Sequence, residues 1–251
     1  MTARLVVMGG GRMGEALVSG LQAAGWDDIV VVEKLAGRRD QLAALGIKAV
    51  AEPVPCDGAV IAVKPGDVEA ACRSLGTASR ALSIAAGVPL AKLEAWLPCP
   101  VVRAMPNTPA LVGAGASAIA GGPEADLDWA EEILSAVGTV VRVPEHLLDA
   151  VTGLSGSGPA YVFLVAEALV EAGVLAGLPR DTAVALASQT LFGASKLLVE
   201  SGDSAEALRA NVTSPGGTTA AGLRALESRA VRSAFIEAVQ AAAARSRELA
   251  G

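Results

Sequence analysis

Short apolar runs alternate with amphipathic stretches along the first half of the chain, up to about Val143. The apolar runs are rich in Val, Ile, Leu and Ala, which is typical of buried strands. Strands are predicted at residues 5–8, 29–32, 59–63, 81–84, 101–103, 116–120 and 139–143. Helices are predicted at residues 13–24, 38–45, 68–75, 90–97 and 124–137. This alternation predicts an α/β domain with a mostly parallel sheet covered by helices.

The β pattern disappears after Pro144, and the sequence that follows is alanine-rich with helical periodicity. Turn residues interrupt this periodicity at 153–159, 177–179, 201–203 and 214–219. Many small residues recur at helical spacing, which favours close packing of helices across a dimer. We therefore predict two domains, an α/β domain over residues 1–144 and an all-α dimerisation domain over residues 145–251.

A glycine-rich loop follows the first predicted strand and opens the first predicted helix. Its sequence, Gly9-Gly10-Gly11-Arg12-Met13-Gly14, satisfies G-x-G-x-x-G in the strand-to-helix context that dinucleotide binding requires. The first glycine makes a tight turn, the second admits a pyrophosphate, and the third lets helix and strand pack closely. The first domain is therefore predicted to be Rossmann-like, with Gly9, Gly11, Arg12, Met13 and Gly14 holding the cofactor.

Charged residues at the end of the second strand bear on the type of dinucleotide. Glu33 occupies the position where an acidic side chain hydrogen-bonds a ribose 2′-hydroxyl, which favours NADH. Lys34, Arg38 and Arg39 follow at once and could instead neutralise the 2′-phosphate of NADPH. The cofactor is therefore predicted to be NADPH or NADH, with Glu33 and Lys34 in contact with it.

Further cofactor contacts are predicted where later strands end, because ligands bind at the carboxyl ends of parallel strands. These residues are Ala62, Val63, Lys64 and Pro65 after the third strand, Ala86 and Gly87 after the fourth, and Asn107 after the fifth. Lys64 and Asn107 are expected to contact nicotinamide or ribose.

A second glycine-rich turn, Ser214-Pro215-Gly216-Gly217-Thr218-Thr219, precedes a helix predicted at residues 220–227. The free N–H groups at a helix start attract negative charge, and adjacent glycines let a ligand approach the backbone. Ser and Thr also cap helices, so ordinary capping is the alternative interpretation. This turn is a candidate anion site.

Composition excludes several functional classes. The formal net charge is −6, and no basic stripe suited to a nucleic-acid backbone is present. Cys56, Cys72 and Cys99 lack C-x-x-C spacing and His146 is the only histidine, so neither a metal site nor a disulfide framework is predicted.

The apolar segments also bear on localisation. The longest, residues 161–178, contains Glu167 and Glu171 and suits a buried or interface helix better than a membrane span. The short apolar run at 5–8 stops at three glycines, unlike a signal peptide. A cytoplasmic protein without membrane or nucleic-acid partners is expected.

Five motifs, in this order along the chain, together resemble the pyrroline-5-carboxylate reductase family. They are Gly-Gly-Gly-Arg-Met-Gly at 9–14, Val-Lys-Pro at 63–65, Met-Pro-Asn-Thr-Pro at 105–109, Thr-Gly-Leu-Ser-Gly-Ser-Gly-Pro-Ala-Tyr at 152–161, and Ser-Pro-Gly-Gly-Thr-Thr at 214–219. The last two are distinctive among Rossmann dehydrogenases. The resemblance covers nearly the whole chain.

The resemblance implies hydride transfer from NAD(P)H to the C=N carbon of 1-pyrroline-5-carboxylate, giving L-proline in the last step of proline biosynthesis. It implies that Gly216, Gly217 and Thr218 bind the substrate carboxylate, that Thr219 contacts the ring nitrogen and that Ser214 supports the site. Glu145 matches a position near the substrate and Asn211 one beside the cofactor. A homodimer, with assembly up to a decamer made of five dimers, is implied as well.

Three alternatives differ in chemistry. A β-hydroxyacid dehydrogenase is disfavoured because Lys196 is followed four residues later by Glu200, not by asparagine. A related NAD(P)-dependent reductase of another cyclic imine would share the hydride chemistry. A non-catalytic dinucleotide sensor would leave the turn at 214–219 without a purpose.

Overall fold

The computed structural model describes residues 4–250 and shows an eight-stranded mixed sheet. The strands are β1 (Leu5–Met8), β2 (Ile29–Val32), β3 (Ala49–Val50), β4 (Gly58–Ile61), β5 (Arg80–Ser83), β6 (Val101–Met105), β7 (Gly115–Gly121) and β8 (Gly138–Arg142). Their order across the sheet is β3-β2-β1-β4-β5-β6-β7-β8. All neighbours are parallel except β6 and β7, which pair antiparallel. The predicted Rossmann-type class is confirmed.

Eleven α-helices accompany these strands in the described part of the chain. They are α1 (Arg12–Ala23), α2 (Ala36–Ala44), α3 (Val68–Ser74), α4 (Leu90–Trp96), α5 (Leu127–Ser135), α6 (Leu148–Val151), α7 (Gly158–Leu175), α8 (Arg180–Glu200), α9 (Ala205–Asn211), α10 (Thr218–Ser228) and α11 (Val231–Ala250). Short 3-10 turns lie at Pro65–Asp67, Thr108–Val112 and Glu145–Leu147, and a π-turn lies at Thr152–Gly156. The all-α character predicted after Pro144 is confirmed.

Two apolar layers, one on each face of the sheet, form the core. Alternate residues of β1 divide between them, so that Leu5 and Val7 belong to one layer and Val6 and Met8 to the other. Helices α1 and α5 cover the first layer, while α3 and α4 cover the second. Strands that are buried on both faces consist of continuous apolar runs, and for this reason they could be predicted from the sequence.

The chain divides into two compact units at places other than the predicted boundary at Pro144. One contains the chain up to Pro159 together with the part from Val239 onward, and the other spans Ala160–Ala238. Residues after Pro144 stay with the sheet because Leu148, 1% exposed, packs against Ala118 and Ala120 of β7. We call these parts the sheet unit and the helical unit.

The helical unit carries large apolar side chains that are exposed in the single chain. Leu175 is 91% exposed, Val199 81%, and Phe163 and Phe192 more than half. Two helical stretches, Glu145–Leu175 and Arg180–Glu200, are long and apolar enough by length and composition to cross a membrane. An exposed apolar surface of this kind marks contact with a partner or a membrane.

Candidate functional site

The glycine-rich loop turns at the carboxyl end of β1 in a conformation that glycine favours. Gly9 has a φ of 107°, and its N–H donates to the Val32 carbonyl at 2.8 Å. A Cβ on Gly14 would collide with the carbonyl oxygen of Gly9, so α1 packs tightly against the loop. A Cβ on Gly11 would meet nothing within 4 Å. The loop is therefore closed toward the protein and open at Gly11, as a bound pyrophosphate requires.

Glu33 lies beside the loop and binds its backbone. Its carboxylate accepts the Gly10 N–H at 3.1 Å through Oε2 and the Leu35 N–H at 2.9 Å through Oε1. The Nε of Arg38 donates to the Gly10 carbonyl at 2.7 Å, and its guanidinium also pairs with Glu15. Glu33 thus binds the N–H and Arg38 the carbonyl of the same loop residue, Gly10.

The two other basic residues near Glu33, Arg39 and Lys34, differ in whether their side chains bind within the protein. Nη1 of Arg39 donates to the carbonyls of Glu33 and Lys34 at 2.8 Å each. The Lys34 side chain is exposed and makes no ion pair within residues 4–250. Lys34 is therefore the basic side chain of this group that remains available to a ligand.

A cavity of about 570 Å³ brings many of the predicted cofactor residues together. The predicted residues in its lining are Gly9, Gly11, Glu33, Lys34, Ala62, Val63 and Lys64. Glu52 and Pro53, which were not predicted, also line it. A cavity of this size suits a small-molecule or cofactor site. The open space at Gly11 and this cavity together fit a dinucleotide. Four other predicted cofactor residues are close to lining residues in sequence but do not line the cavity themselves: Arg12, Met13, Gly14 and Pro65.

The end of β4 touches the glycine loop directly. The Ala62 N–H donates to the Met8 carbonyl at 2.8 Å, and a Cβ on Gly9 would lie 2.7 Å from the Ala62 carbonyl oxygen. Lys64 is exposed and precedes the 3-10 turn that starts at Pro65. Gly87, with a φ of 74°, turns the chain two residues after Ala85 beyond β5. Ala86 beside it is exposed.

Both ends of the Asn107 amide make a hydrogen bond within the protein. Its Oδ1 accepts the Ala116 N–H at 2.8 Å, and its Nδ2 donates to the Ser155 carbonyl at 3.1 Å. The residue is 9% exposed. The sequence predicted a cofactor contact at Asn107, and the link to the π-turn through Ser155 is an additional feature of the fold.

Glu145 is anchored within the sheet unit. Its Oε1 accepts from Nη1 of Arg103 at 2.9 Å and from the Leu90 N–H at 2.7 Å. Arg103 lies in β6 and is 8% exposed. Arg103 is not among the residues predicted from the sequence, although a single arginine inside an otherwise apolar strand indicates a buried ion pair.

The glycine-rich turn of the helical unit begins α10 two residues earlier than predicted. Gly216 has a φ of 71°, and the Gly217 N–H donates to the Ser214 carbonyl at 3.0 Å. The Gly217 N–H is therefore already bonded within the turn. At the helix start, the N–H groups of Thr218, Thr219 and Ala220 have no acceptor within the described chain.

The other predicted residues of this unit lie on either side of the turn in sequence. Asn211 is the last residue of α9 and is exposed, as is Ser214. Thr219 is partly buried in the second position of α10. Most predicted cofactor residues thus lie in the sheet unit and most predicted substrate residues in the helical unit. The exceptions are Glu145, a predicted substrate residue in the sheet unit, and Asn211, a predicted cofactor residue in the helical unit.

Two family models match the chain. One, described as pyrroline-5-carboxylate reductase dimerisation, matches residues 145–249. The other, described as NADP oxidoreductase coenzyme F420-dependent, matches residues 4–87. The two matches fall on the helical part and on the glycine-loop part of the chain, respectively.

Curated relatives share nearly the full length of the chain. Pyrroline-5-carboxylate reductase of Mycobacterium tuberculosis is 45% identical, over 98% of this chain and 97% of its own. The Synechocystis protein of the same name is 46% identical over 99% of both chains, and the Arabidopsis thaliana one is 40% identical over 96% and 94%.

Solved structures agree with these sequence relatives. A pyrroline-5-carboxylate reductase from Coxiella burnetii has a TM-score of 0.93, 38% identity and 99% coverage of both chains. A Plasmodium falciparum pyrroline carboxylate reductase with NADP bound has a TM-score of 0.85 and 29% identity, over 100% of this chain and 99% of its own. The resemblance noted from the five motifs is confirmed.

Proposed function

Because the chain belongs to the pyrroline-5-carboxylate reductase family, we propose that it reduces 1-pyrroline-5-carboxylate to L-proline with NADPH or NADH. The observation that carries the proposal is the cavity of about 570 Å³ beside the open glycine loop. In this role the protein catalyses the last step of proline biosynthesis in the cytoplasm.

The cofactor would be held by the loop and the strand ends. The N–H groups at the start of α1, near Arg12 and Met13, face the anionic pyrophosphate at a helix N-terminus. Glu33 and Lys34 would contact the ribose, and Ala62, Val63 and Lys64, with Pro65 next to them in sequence, would contact the part of the cofactor beyond it. When bound, the nicotinamide supplies a hydride to the C=N carbon. Ala86, Gly87 and Asn211 are the remaining proposed cofactor contacts.

The substrate carboxylate would bind at the start of α10. The N–H groups of Thr218, Thr219 and Ala220 point outward from the first turn, where the helix dipole favours an anion. Gly216 and Gly217 supply the tight turn that exposes them, and Ser214 packs over Gly217. We thus keep the proposed carboxylate site at this turn, with the N–H groups of Thr218, Thr219 and Ala220 as donors in place of those of Gly216 and Gly217.

Thr219 is proposed to act on the ring nitrogen. Reduction adds a hydride to carbon and a proton to nitrogen, so a donor at nitrogen makes the imine a better hydride acceptor. The Thr219 hydroxyl supplies that hydrogen bond, and water replenishes the proton. Glu145 is placed near the substrate by the resemblance, although one of its oxygens is already bonded to Arg103 and Leu90.

Assembly is part of the proposal. The dimerisation model covers the helices whose apolar side chains are exposed, so a second copy of the chain, not lipid, is proposed to cover them. We propose a homodimer that associates further into a decamer of five dimers. Residues from two subunits would then contribute to one active site, while nucleic acid and membranes are not partners.

The test is oxidation of NADPH and NADH, measured side by side with 1-pyrroline-5-carboxylate. Loss of the nicotinamide absorbance is expected only with the imine present. A sensor predicts binding without turnover, and a reductase of another imine predicts faster turnover of 1-pyrroline, which lacks the carboxylate. Either result would overturn the proposal.

The role of Thr219 has its own variants. We expect Thr219→Ala to lower kcat roughly ten- to a hundredfold, since it removes a hydrogen bond that strengthens in the transition state. Thr219→Ser keeps the hydroxyl and should retain most activity. Ser228→Ala, at the other end of α10, is the matched control. If Thr219→Ala has wild-type kinetics, Thr219 only caps the helix.

A further inference from the structure

The π-turn at Thr152–Gly156 packs against the carboxyl end of β6 and against the part of α11 from Val239 onward, which also belongs to the sheet unit. A Cβ on Gly153 would lie 2.5 Å from the Val239 carbonyl oxygen, and one on Gly156 would lie 2.5 Å from the Met105 Cε. These two glycines therefore let the turn touch both neighbours closely. π-turns inside helices occur frequently at functional sites.

The backbone of this turn has a gap in its hydrogen bonding that the sequence creates. In an α-helix, the Ser155 carbonyl would accept from the N–H four residues later, which is Pro159. Proline has no N–H, so that bond cannot form. The Asn107 amide, reaching across 48 residues of sequence, donates to this same carbonyl at 3.1 Å.

Asn107 is itself rigidly placed. Its Oδ1 accepts the N–H of Ala116, the second residue of β7, at 2.8 Å, and its side chain is 9% exposed. A single buried amide thus joins three segments: the loop after β6, the start of β7, and the π-turn. One of its two N–H donors and one of its two acceptor lone pairs are used inside the protein, and the burial of the side chain restricts access of a cofactor to the rest.

We propose that Asn107 is a positioning residue that fixes the π-turn at the ligand-facing edge of the sheet by supplying the donor that Pro159 lacks. The proposal rests on the proposed reductase function and replaces the predicted cofactor contact of Asn107. The turn directly precedes α7, whose first two residues are the last of the sheet unit before the chain enters the helical unit. Its displacement would therefore disturb the reacting geometry without emptying the cavity at the glycine loop.

Asn107→Asp is the diagnostic variant. It keeps an acceptor for Ala116 but places a carboxylate oxygen against the Ser155 carbonyl, so the link to the π-turn is lost. We expect kcat/KM for the imine to fall about tenfold or more, with the NADPH Kd within about threefold of wild type. Asn107→Ser, which is neutral and smaller, should show the same pattern if the aspartate variant fails to fold.

A rescue variant separates positioning from contact. Pro159→Ala restores a backbone N–H four residues after Ser155, so Asn107→Asp/Pro159→Ala should recover part of the lost kcat/KM. The Ser157 N–H, which donates to the Thr152 carbonyl at 2.8 Å, reports on the turn directly. Its hydrogen exchange should be faster in the Asn107 variants and slower again in the double variant.

Three results would overturn the proposal. They are an NADPH Kd that rises in parallel with the loss of activity, unchanged exchange at Ser157, and absence of rescue by Pro159→Ala. The exchange measurement needs no turnover, so it remains decisive if the wild-type protein proves inactive toward the imine. Inactivity of the wild type would refute the proposed function alone.

Discussion

Glu145→Ala is expected to destabilise the protein substantially, because Glu145 joins three segments of the sheet unit. Its Oε1 accepts from Arg103 in β6 and from the backbone of Leu90, the first residue of α4. The two partners lie 42 and 55 residues away along the chain. The side chain of Arg103 is 9% exposed and that of Glu145 35%.

The magnitude follows from what each partner loses. Leaving the Leu90 N–H without its acceptor costs about 1 kcal/mol. Leaving the Arg103 guanidinium buried without its carboxylate costs about 2 kcal/mol, a value reduced for the water that reaches Glu145. The free energy of unfolding should thus fall by about 3 kcal/mol. Glu145→Gln keeps an acceptor oxygen and should cost about 1 kcal/mol.

The assay is urea-induced unfolding at one fixed protomer concentration, because assembly makes stability depend on concentration. Glu69→Ala is the matched control, since its pair with Arg73 is exposed and should contribute less than about 0.5 kcal/mol. Arg103→Met/Glu145→Ala should lose less than the sum of the single variants, because the double variant leaves no buried charge of this pair without its partner.

A different outcome would show that Glu145 serves the substrate and not the fold. That outcome is wild-type stability of Glu145→Ala together with a raised KM for the imine. Measuring both quantities on the same preparation therefore separates an anchoring role from substrate contact.

Three further expectations rest on single positions. Gly14→Ala should weaken NADPH binding at least about tenfold in a fluorescence titration, because the added Cβ collides with the Gly9 carbonyl; unchanged affinity would show that the loop relaxes. Ala230, with a φ of 53°, lies in a conformation that glycine favours, so Ala230→Gly should raise the free energy of unfolding by about 0.5–1 kcal/mol, and a loss would contradict this. Burial raises the pKa of the Cys56 and Cys72 thiols to about 11, so the unfolded chain releases their protons first and stability should fall as pH rises from about 9 to 11. A double Cys→Ala variant with an equally steep alkaline decline would contradict that reasoning.

The sheet could be predicted where the sequence itself is the cause of the structure. Strands β1, β2 and β4 are buried on both faces and therefore read as unbroken apolar runs. Strand β3, at the sheet edge, has two residues that are only partly buried, too few for a pattern. The antiparallel pairing of β7 with β6 has no local signature, because direction depends on the path between strands and not on strand composition.

The candidate site shows the same limit for side chains. The roles of Gly9 and Gly14 could be predicted because both positions act within a short strand-to-helix segment. The bonds made by Asn107 and Glu145 connect residues more than forty positions apart, so they depend on the finished fold. Their residue types alone favoured ligand contact. In the fold, the Asn107 amide makes one donated and one accepted hydrogen bond with the backbone, and one oxygen of Glu145 binds Arg103 and the backbone of Leu90.

Glu33 illustrates why a motif rule cannot decide between NADH and NADPH here. The rule treats an acidic residue at the end of β2 as a ligand of the ribose 2′-hydroxyl. In this fold, the same carboxylate accepts the N–H groups of Gly10 and Leu35, and Arg38 holds the opposite side of Gly10. Replacing Glu33 would thus disturb the glycine-rich loop, so its effect on cofactor binding would not report only on the discrimination between NADH and NADPH. The exposed side chain of Lys34 lines the same cavity and makes no comparable bond to the loop. The electrostatic potential at a bound 2′-phosphate would therefore depend on Lys34 as much as on Glu33.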